Sequence, residues 1–401
     1  MSVPAVPPVQ YDLWDVWPTA RHLAGKHDQK THAHGASASG AGFDADFTGM
    51  EPHSGGPTGP DANIISPGSQ PRSRSRVANP VDAPDGTDFD SLPADAQRAA
   101  EQACLDAGLP DIEAMTRNVE AAYGAASAQD LQWGEEFYDQ AGAQVEDLSQ
   151  ATGSARVPLS VEQVTGITAA LSPQTRWENN QVWADHAVRT IAEDPVIDDA
   201  FLGQPFTVGG RTGTIAAELP SVEPGKRLSE YPEADQVQLI KLSGQHPMTA
   251  TAQVGPSAGQ QVNANYVVDG SIAKAVQIAR GDGSLQSVSS ALGGHKVRSF
   301  YDDIITRGQV DRVVTIDAHA LDAAALGTRA RRAAEQVPDT SARVLTEGDE
   351  VALGIRGRGY AAVAKAYRDA QSVINDQRAA RGQGPLTTAQ VQAVVWMTTL
   401  P

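Results

Sequence analysis

The order of apolar and polar positions divides the chain into a tail without periodicity and a long part with helical periodicity. From Met1 to about Pro93, segments such as GASASGAGFDADFTG show neither helical spacing nor the alternation of a strand. Large apolar side chains are scarce there, so burial cannot offset the roughly 1–2 kcal/mol per residue that ordering the backbone costs. The sequence predicts a disordered tail over residues 1–93.

Helical patterns begin after the tail and continue over residues 94–192. Two helices are predicted on either side of residues 108–110, where Gly and Pro interrupt the pattern. A later helix is predicted to open at Ser160, because Gln163 follows at the right spacing and completes a capping box. These helices form the first part of a helical domain.

The pattern changes over residues 193–263, which are rich in Pro, Gly and polar side chains. QPFTVGGRTGTI predicts a small hairpin around Gly209-Gly210. QVQLIKL, at residues 236–242, predicts a strand. We interpret the whole segment as a small irregular/β insertion.

Helical spacing returns over residues 264–401, the second part of the domain. An apolar run, residues 313–316, leads into Asp317 and the alanine-rich segment AHALDAAALG. The last helix is predicted to open with another capping-box pair, Thr387 and Gln390. The predicted fold class is mainly α, with one helical domain that is interrupted by the insertion and preceded by the long disordered tail.

Charge and cysteine content narrow the classes of partner. The formal net charge is −18, so the field of the whole protein does not attract nucleic acid, and a nucleic-acid site needs a local basic patch. The single cysteine, Cys104, excludes an intrachain disulfide and a four-cysteine zinc or iron–sulfur site. No run approaches the roughly 18 apolar residues of a membrane span, and MSVPAVPPVQYDLWDVW lacks the pattern of a secretory signal. We therefore expect no membrane partner, and a protein kept in a cytoplasm or packaged there into a particle.

Three segments carry most of the information about chemistry: AALSPQTRWENN (169–180), GGHKVRSFYDDI (293–304) and VTIDAHAL (314–321). Together with the closing VQAVVW (391–396), they resemble a family of actinobacteriophage proteins. That family is in turn distantly similar to the helix-hairpin-helix GPD superfamily of DNA glycosylases, the endonuclease III relatives. The resemblance covers about residues 115–400 apart from the insertion, and it implies a helical glycosylase-like domain.

The resemblance implies a site that acts on the bond between a nucleobase and its sugar. Ile316-Asp317-Ala318-His319 looks like the segment in which these glycosylases carry their catalytic aspartate. Asp317 would stabilise the oxocarbenium-like sugar and orient the attacking water, and the base would be flipped out or already unpaired. The predicted catalytic residue is Asp317, and the predicted substrate-binding residues are Gln174, Arg176, Trp177, Asn180, Lys296 and His319.

Asp317 and His319 also have structural interpretations. Asp317 follows an apolar run and precedes an alanine-rich helix, as an N-cap does, and an N-cap is worth about 0.5–2 kcal/mol. The two roles of Asp317 are compatible, because a glycosylase aspartate also lies at a helix N-terminus. We interpret His319 as a partly buried helix residue rather than a proton carrier.

The residues before Asn180 leave similar alternatives open. Arg176 and Trp177 can form a cation and stacking platform for a base. Alternatively, Trp177 and Trp183 flank a core helix. Asn179 and Asn180 can read a base edge, or they can end a turn.

The sequence departs from the superfamily at the hairpin that gives it its name. That Gly-rich turn grips a DNA phosphate and should lie just before Asp317, where YDDIITRGQVDRVVT contains only Gly308. This departure and the acidic net charge both disfavour plain duplex DNA. The expected partner is nucleic acid or a nucleotide, with a single-stranded or modified base favoured over plain duplex.

The tail contains two motifs. GKHDQKTH, residues 25–32, closely resembles a motif of head-associated and neighbouring gene products of actinobacteriophages. The similarity implies a phage origin, capsid proteins as partners of the tail, and a location in the host cytoplasm or the virion. Flexible histidine-rich segments of this kind bind metals weakly, so no metal site is expected. RSRSR, residues 72–76, is a basic cluster that can touch nucleic acid or simply be solvated.

Two functions from different classes follow from these observations. The first is a phage-encoded DNA-glycosylase-like enzyme, a hydrolase or lyase, that acts on a nucleobase–sugar bond and needs no cofactor. The second is a non-catalytic minor virion protein or packaged cargo targeted by its N-terminal motif. A concave pocket that joins Trp177, Lys296 and Asp317 would favour the first, and an Asp317 occupied only with capping would favour the second.

Overall fold

The part of the chain that the structure describes is mainly helical, as the sequence predicts. The predicted tail lies outside the described residues except for 88–93, as do its GKHDQKTH motif and arginine cluster. Residues 88–93 contain a 3-10 helix, Phe89–Ser91, whose phenylalanine is buried. This computed structural model describes residues 88–106, 108–173, 177–208, 211–243, 249–251, 261–263, 269–311, 313–326 and 358–399.

The first helices follow the predicted pattern. Gly108 has a φ of +81° and lies at the predicted break between the first two helices. The capping box is confirmed, because Ser160 Oγ accepts from the Gln163 N–H and Gln163 Oε1 accepts from the Ser160 N–H. The helices are α1 (Ala94–Asp106), α2 (Ile112–Gly124), α3 (Ala128–Ala151), α4 (Val161–Ala170), α5 (Trp177–Glu193) and α6 (Asp199–Leu202).

The segment after α6 carries the predicted hairpin. Strands β1 (Pro205–Val208) and β2 (Arg211–Thr214) pair antiparallel, which confirms the hairpin around Gly209-Gly210. Phe206 of β1 is buried in the core, so the hairpin is anchored to the helical part. The other short elements of this region are α7 (Ile215–Glu218), a 3-10 helix (Leu228–Glu230), and the antiparallel strands β3 (Thr249–Thr251) and β4 (Gln261–Asn263).

The strand predicted for QVQLIKL is wrong, because that segment belongs to helix α8 (Glu233–Leu242). Leu239 and Ile240 are adjacent and both fully buried, which a strand with one buried face does not allow. Glu233 and Asp235 lie in the first turn, where acidic side chains stabilise a helix. A short apolar run does not by itself distinguish a buried helix from a strand.

The C-terminal part returns to long helices. The predicted capping pair of the last helix is confirmed, because Thr387 Oγ1 accepts from the Gln390 N–H at 3.3 Å and Gln390 Oε1 accepts from the Thr387 N–H at 3.0 Å. None of the described helices is both long enough and apolar enough to span a membrane. The helices are α9 (Asp269–Arg280), α10 (Leu285–Ala291), α11 (His295–Ile305), α12 (Ala318–Leu326), α13 (Arg358–Ala380) and α14 (Thr388–Thr399).

Two hydrophobic clusters form the interior, and α14 contributes to both. The larger cluster is built mainly by α3, α4, α5, α8, α9 and α11, and the second by α1, α2, α12 and α13. Ala393 and Met397 of α14 belong to the larger cluster, whereas Val391 and Val395 belong to the second. This helix is therefore the wall that the two clusters share.

The backbones of α3 and α14 approach closely at Gly134. A Cβ atom added to Gly134 would lie 2.4 Å from the Val394 Cα atom and 2.5 Å from its backbone nitrogen. Backbone atoms of a packed helix cannot move aside as the end of a flexible side chain can. Only glycine at this position allows the crossing.

We predict that Gly134→Ala destabilises the fold. The added methyl group has to push two helices apart, and overpacking of this kind costs about 1–3 kcal/mol. Urea unfolding at equilibrium measures the change. The matched control is Gly124→Ala, because nothing lies within 4 Å of a Cβ built there and alanine favours the helix. Equal stability of the two variants would contradict the close crossing.

Candidate active site

A pocket lies where the two hydrophobic clusters meet. Helices α3, α5, α11 and α14 and the segment 313–317 converge on it, and its cavity volume is about 60 Å³. The residues that line it are Phe137, Tyr138, Ser172, Trp177, Asn180, Lys296, Phe300, Thr315, Asp317, Gln392 and Trp396.

Five of the lining side chains are aromatic, and they pack edge to face. The Phe137 ring lies 5.2 Å from the Trp177 ring and 5.2 Å from the Trp396 ring, at interplanar angles of 66° and 67°. Phe300 meets Trp177 at 6.1 Å and 90°, and Tyr138 meets Phe137 at 5.0 Å and 78°. Edge-to-face contacts hold aromatic rings in defined orientations, so the pocket has firm, flat apolar walls.

Helical spacing explains why one polar and one aromatic residue come together on each wall. Positions three or four apart lie on the same face of a helix. On α5 this face carries Trp177 and Asn180, and on α11 it carries Lys296 and Phe300. Gln392 and Trp396 form the third such pair, on α14.

The segment 313–317 forms the remaining wall of the pocket, because its side chains alternate between the core and the pocket. Val314 and Ile316 belong to the second hydrophobic cluster, whereas Thr315 and Asp317 line the pocket. Neighbouring side chains of an extended chain point to opposite faces, so this short segment separates the core from the site. Asp317 Oδ1 also accepts a hydrogen bond from the Ala320 N–H at 2.8 Å, so Asp317 caps α12.

The hydroxyl group of Tyr360 holds this segment in place. It donates to the Val314 carbonyl oxygen at 2.7 Å and accepts from the Ile316 N–H at 3.0 Å. Its third contact is Ser299 Oγ, at 3.1 Å. Tyr360 is fully buried on α13, and burial raises the pKa of its phenol, so the group stays protonated and able to donate.

Buried polar groups lie behind the pocket wall. Thr315 Oγ1 donates to Asp303 Oδ2 at 2.7 Å, and the Tyr138 hydroxyl donates to Gln392 Oε1 at 3.0 Å. Burial raises the pKa of the Asp303 carboxyl well above its usual range, and Asp302 raises it further, although the bond from Thr315 acts in the opposite direction. Burial therefore favours the neutral form of the Asp303 carboxyl, because an isolated buried carboxylate is costly.

Four of the predicted site residues line the pocket together: Trp177, Asn180, Lys296 and Asp317. Lys296 and Asp317 are half-buried, and Asn180 is fully buried. Asn179 and Asn180 lie in the first turn of α5, so the alternative that they end a turn is wrong. Asp317 combines its capping bond with a place in the pocket wall.

The other predicted residues fall outside the pocket lining that the structure describes. Gln174 and Arg176 lie outside the described residues. His319 is half-buried on α12, as interpreted from the sequence, and its ring lies 6.5 Å from an aromatic ring of the pocket wall. Trp177 and Trp183 both pack against the larger cluster, so the core interpretation of Trp177 holds beside its place in the pocket.

Sequence reasoning did not name most of the other lining residues as site residues. Phe137 and Tyr138 lie on α3, where the sequence shows only the apolar spacing of an amphipathic helix. Gln392 and Trp396 lie in the closing segment of the resemblance, and a polar residue one turn before a tryptophan was the available signal. The place of Asp303 behind the pocket wall could not be predicted, because nothing in the sequence shows that this residue is buried.

Comparison with known proteins gives a family but no function. The profile of a family described as a family of unknown function (DUF7178) matches residues 106–203 and 232–400, about two-thirds of the chain. All residues that line the pocket lie within these two ranges, whereas the β1–β2 hairpin lies between them. No curated protein and no solved structure shows a significant match.

We predict that Tyr360→Phe destabilises the protein by about 1–3 kcal/mol, because the buried Ile316 N–H loses its acceptor. Tyr367→Phe is the control: among the described residues, its hydroxyl makes one hydrogen bond, as a donor to the Ala320 carbonyl oxygen, and we expect a loss of about 1 kcal/mol or less. Urea unfolding at equilibrium compares the two. Equal losses of stability in Tyr360→Phe and Tyr367→Phe would contradict the role of Tyr360 in holding the segment 313–317.

A second prediction concerns the pH dependence of stability. The folded protein holds the Asp303 proton more tightly than the unfolded chain does, and this tighter binding stabilises the fold. The stabilisation is fully present below the ordinary carboxyl pKa of about 4. It is lost as the pH rises towards the raised pKa, by up to about 1.4 kcal/mol per pH unit. Asp303→Asn keeps an oxygen for Thr315 and cannot ionise.

The variant should therefore lose less stability than the wild type as the pH rises above about 4. Urea unfolding at several pH values measures both proteins, and the difference between them removes the contribution of all other titrating groups. Parallel stability curves would show that Asp303 is ionised in the native protein.

Proposed function

We propose that this chain, which belongs to the family of unknown function matched over residues 106–203 and 232–400, breaks the bond between a nucleobase and its sugar. One observation carries the proposal: Trp177, Lys296 and Asp317, which come from three separate segments, line a single pocket. Their roles would be stacking, charge and acid–base chemistry, and this bond requires all three.

Asp317 has the geometry of a fixed carboxylate. Oδ1 is held by the Ala320 N–H, and no other hydrogen bond from the described residues engages the side chain, so Oδ2 is available to the pocket. A carboxylate held in this way stabilises the positive charge that develops on the sugar as the bond to the base breaks. It also orients water for attack on the C1′ carbon atom.

The reaction is a hydrolysis. The oxygen of water forms a bond to C1′, and the bond from C1′ to the base nitrogen breaks with its electron pair on that nitrogen. Asp317 accepts one proton from the attacking water, and the departing base nitrogen takes up one proton from solvent. Asp317 then returns its proton to solvent, so that the net reaction adds one water molecule across the bond. The Lys296 ammonium group can donate a hydrogen bond to the departing base or to a phosphate of the substrate.

The aromatic walls support a planar substrate group. Every nucleobase has two flat faces, and stacking on aromatic side chains is worth about 1–3 kcal/mol per base. Trp177 and Trp396 are both half-buried, so part of each ring remains available to a ligand.

The proposed partner is a single-stranded or modified base, or a free nucleotide, rather than plain duplex DNA. The net charge of −18 disfavours the extended phosphate contacts that hold a duplex. A phage origin and a role in the virion stay predictions, because they depend on GKHDQKTH, which lies outside the described residues.

We expect Asp317→Asn to abolish base release while the protein stays folded. Asparagine caps a helix about as well as aspartate, so stability should change by less than about 0.5 kcal/mol. Loss of the carboxylate should slow the reaction by about 10²-fold to 10⁴-fold. Single-stranded DNA, duplex DNA and nucleotides are incubated with each protein, and mass spectrometry detects the released bases.

Asp111→Asn is the matched control, because Asp111 caps α2 through the same kind of bond and does not line the pocket. Its activity should equal that of the wild type. Full activity of Asp317→Asn would refute the catalytic role. The absence of base release from every substrate would reject the enzyme and favour the virion role.

A further inference from the structure

Two polar atoms of the pocket residues are buried without a hydrogen-bond partner among the described residues. They are Ser172 Oγ and Asn180 Oδ1. Ser172 is 7% exposed and Asn180 is 1% exposed, and both residues line the pocket. Tyr301 Oη is also buried without a partner, but Tyr301 does not line the pocket.

The orientation of the Asn180 amide is fixed by its other end. Asn180 Nδ2 donates to the Thr168 carbonyl oxygen at 3.0 Å. Rotating the amide by half a turn would place two oxygens against each other, because a carbonyl oxygen only accepts hydrogen bonds. The atom left without a partner is therefore Oδ1, an acceptor that needs an N–H or O–H donor.

Leaving such atoms buried and unpaired is unfavourable, and proteins rarely retain them without a reason. Neither atom is exposed to bulk solvent. A molecule that enters the pocket can supply the missing bonds if it displaces the neighbouring side chains. Trp177 is half-buried and lies one turn before Asn180 on α5.

We infer that the pocket selects a base through an N–H donor on its edge, accepted by Asn180 Oδ1, with Ser172 Oγ as a second contact. This inference rests on the proposed function, because it takes the ligand to be a base, and it names the feature that the base must carry. A ring without an N–H group, or one methylated at that position, would leave the acceptor buried and unpaired. Sites of this kind reject ligands that lack the hydrogen-bonding group.

The test uses pairs of nucleosides that differ only in this feature. Adenosine is compared with purine riboside, cytidine with pyrimidin-2-one riboside, and uridine with 3-methyluridine. The second member of each pair lacks an N–H group on the base. Titration calorimetry measures binding to the full chain, and quenching of tryptophan fluorescence gives a second readout.

In at least one pair, we expect the first member to bind the wild type about tenfold more tightly than the second. In Asn180→Ala the two members should bind equally. Ser172→Ala should bind the first member about threefold to tenfold more weakly, with an unchanged or higher Tm, because the deleted oxygen has no hydrogen-bond partner among the described residues.

Asn118→Ala is the matched control for Asn180→Ala. Asn118 is also buried and donates to a backbone carbonyl, that of Ala324, at 2.9 Å, but it does not line the pocket. It should keep the discrimination of the wild type. If Asn180→Ala does not fold, nucleoside binding to Ser172→Ala and the comparison of each nucleoside pair on the wild type still test the inference.

Binding and base release separate this inference from the proposed function. Discrimination in binding without any base release would support the N–H acceptor and reject the enzyme. Base release with equal binding of both members of every pair would support the enzyme and overturn the inference. The inference is also overturned if no nucleoside binds, or if the discrimination persists in Asn180→Ala.

Discussion

The close crossing of α3 and α14 at Gly134 is the contact on which the rest of the structure depends. Because position 134 has no side chain, the α14 backbone at Val394 reaches the surface of α3. One turn further along α3, Tyr138 is close enough to donate a hydrogen bond to Gln392. The Phe137 ring, also on α3, packs edge to face against the Trp396 ring of α14. A wider crossing would separate these side chains, and the pocket would lose two of its walls.

The pocket combines several features that each lower the stability of the fold. It holds buried polar atoms without hydrogen-bond partners among the described residues, a carboxyl with a raised pKa behind one wall, and a carboxylate at a helix N-terminus. The hydrophobic clusters on both sides of the pocket keep these groups in place, together with the hydrogen bonds of Tyr360 to the segment 313–317. Such a combination is typical of a binding site rather than of a region that only adds stability.

The local parts of the structure could be predicted from the sequence because their causes are local. The capping pairs Ser160–Gln163 and Thr387–Gln390 and the break at Gly108 are short-range patterns, and all three are confirmed. The strand predicted for QVQLIKL is wrong because burial on several sides conceals the helical period. Tyr138 and Gln392 are separated by 254 positions, so no spacing rule could bring them together.

The shared helix α14 has a consequence for how the protein is made. Residues 388–399 leave the ribosome long after α3, α4 and α5, yet both hydrophobic clusters need this helix as a wall. Until then the apolar faces of the earlier helices have no complete partner, and contacts this distant in sequence form slowly. A nascent chain therefore exposes these apolar faces from the synthesis of α5 until that of α14, and the docking of α14 completes both clusters and the pocket between them.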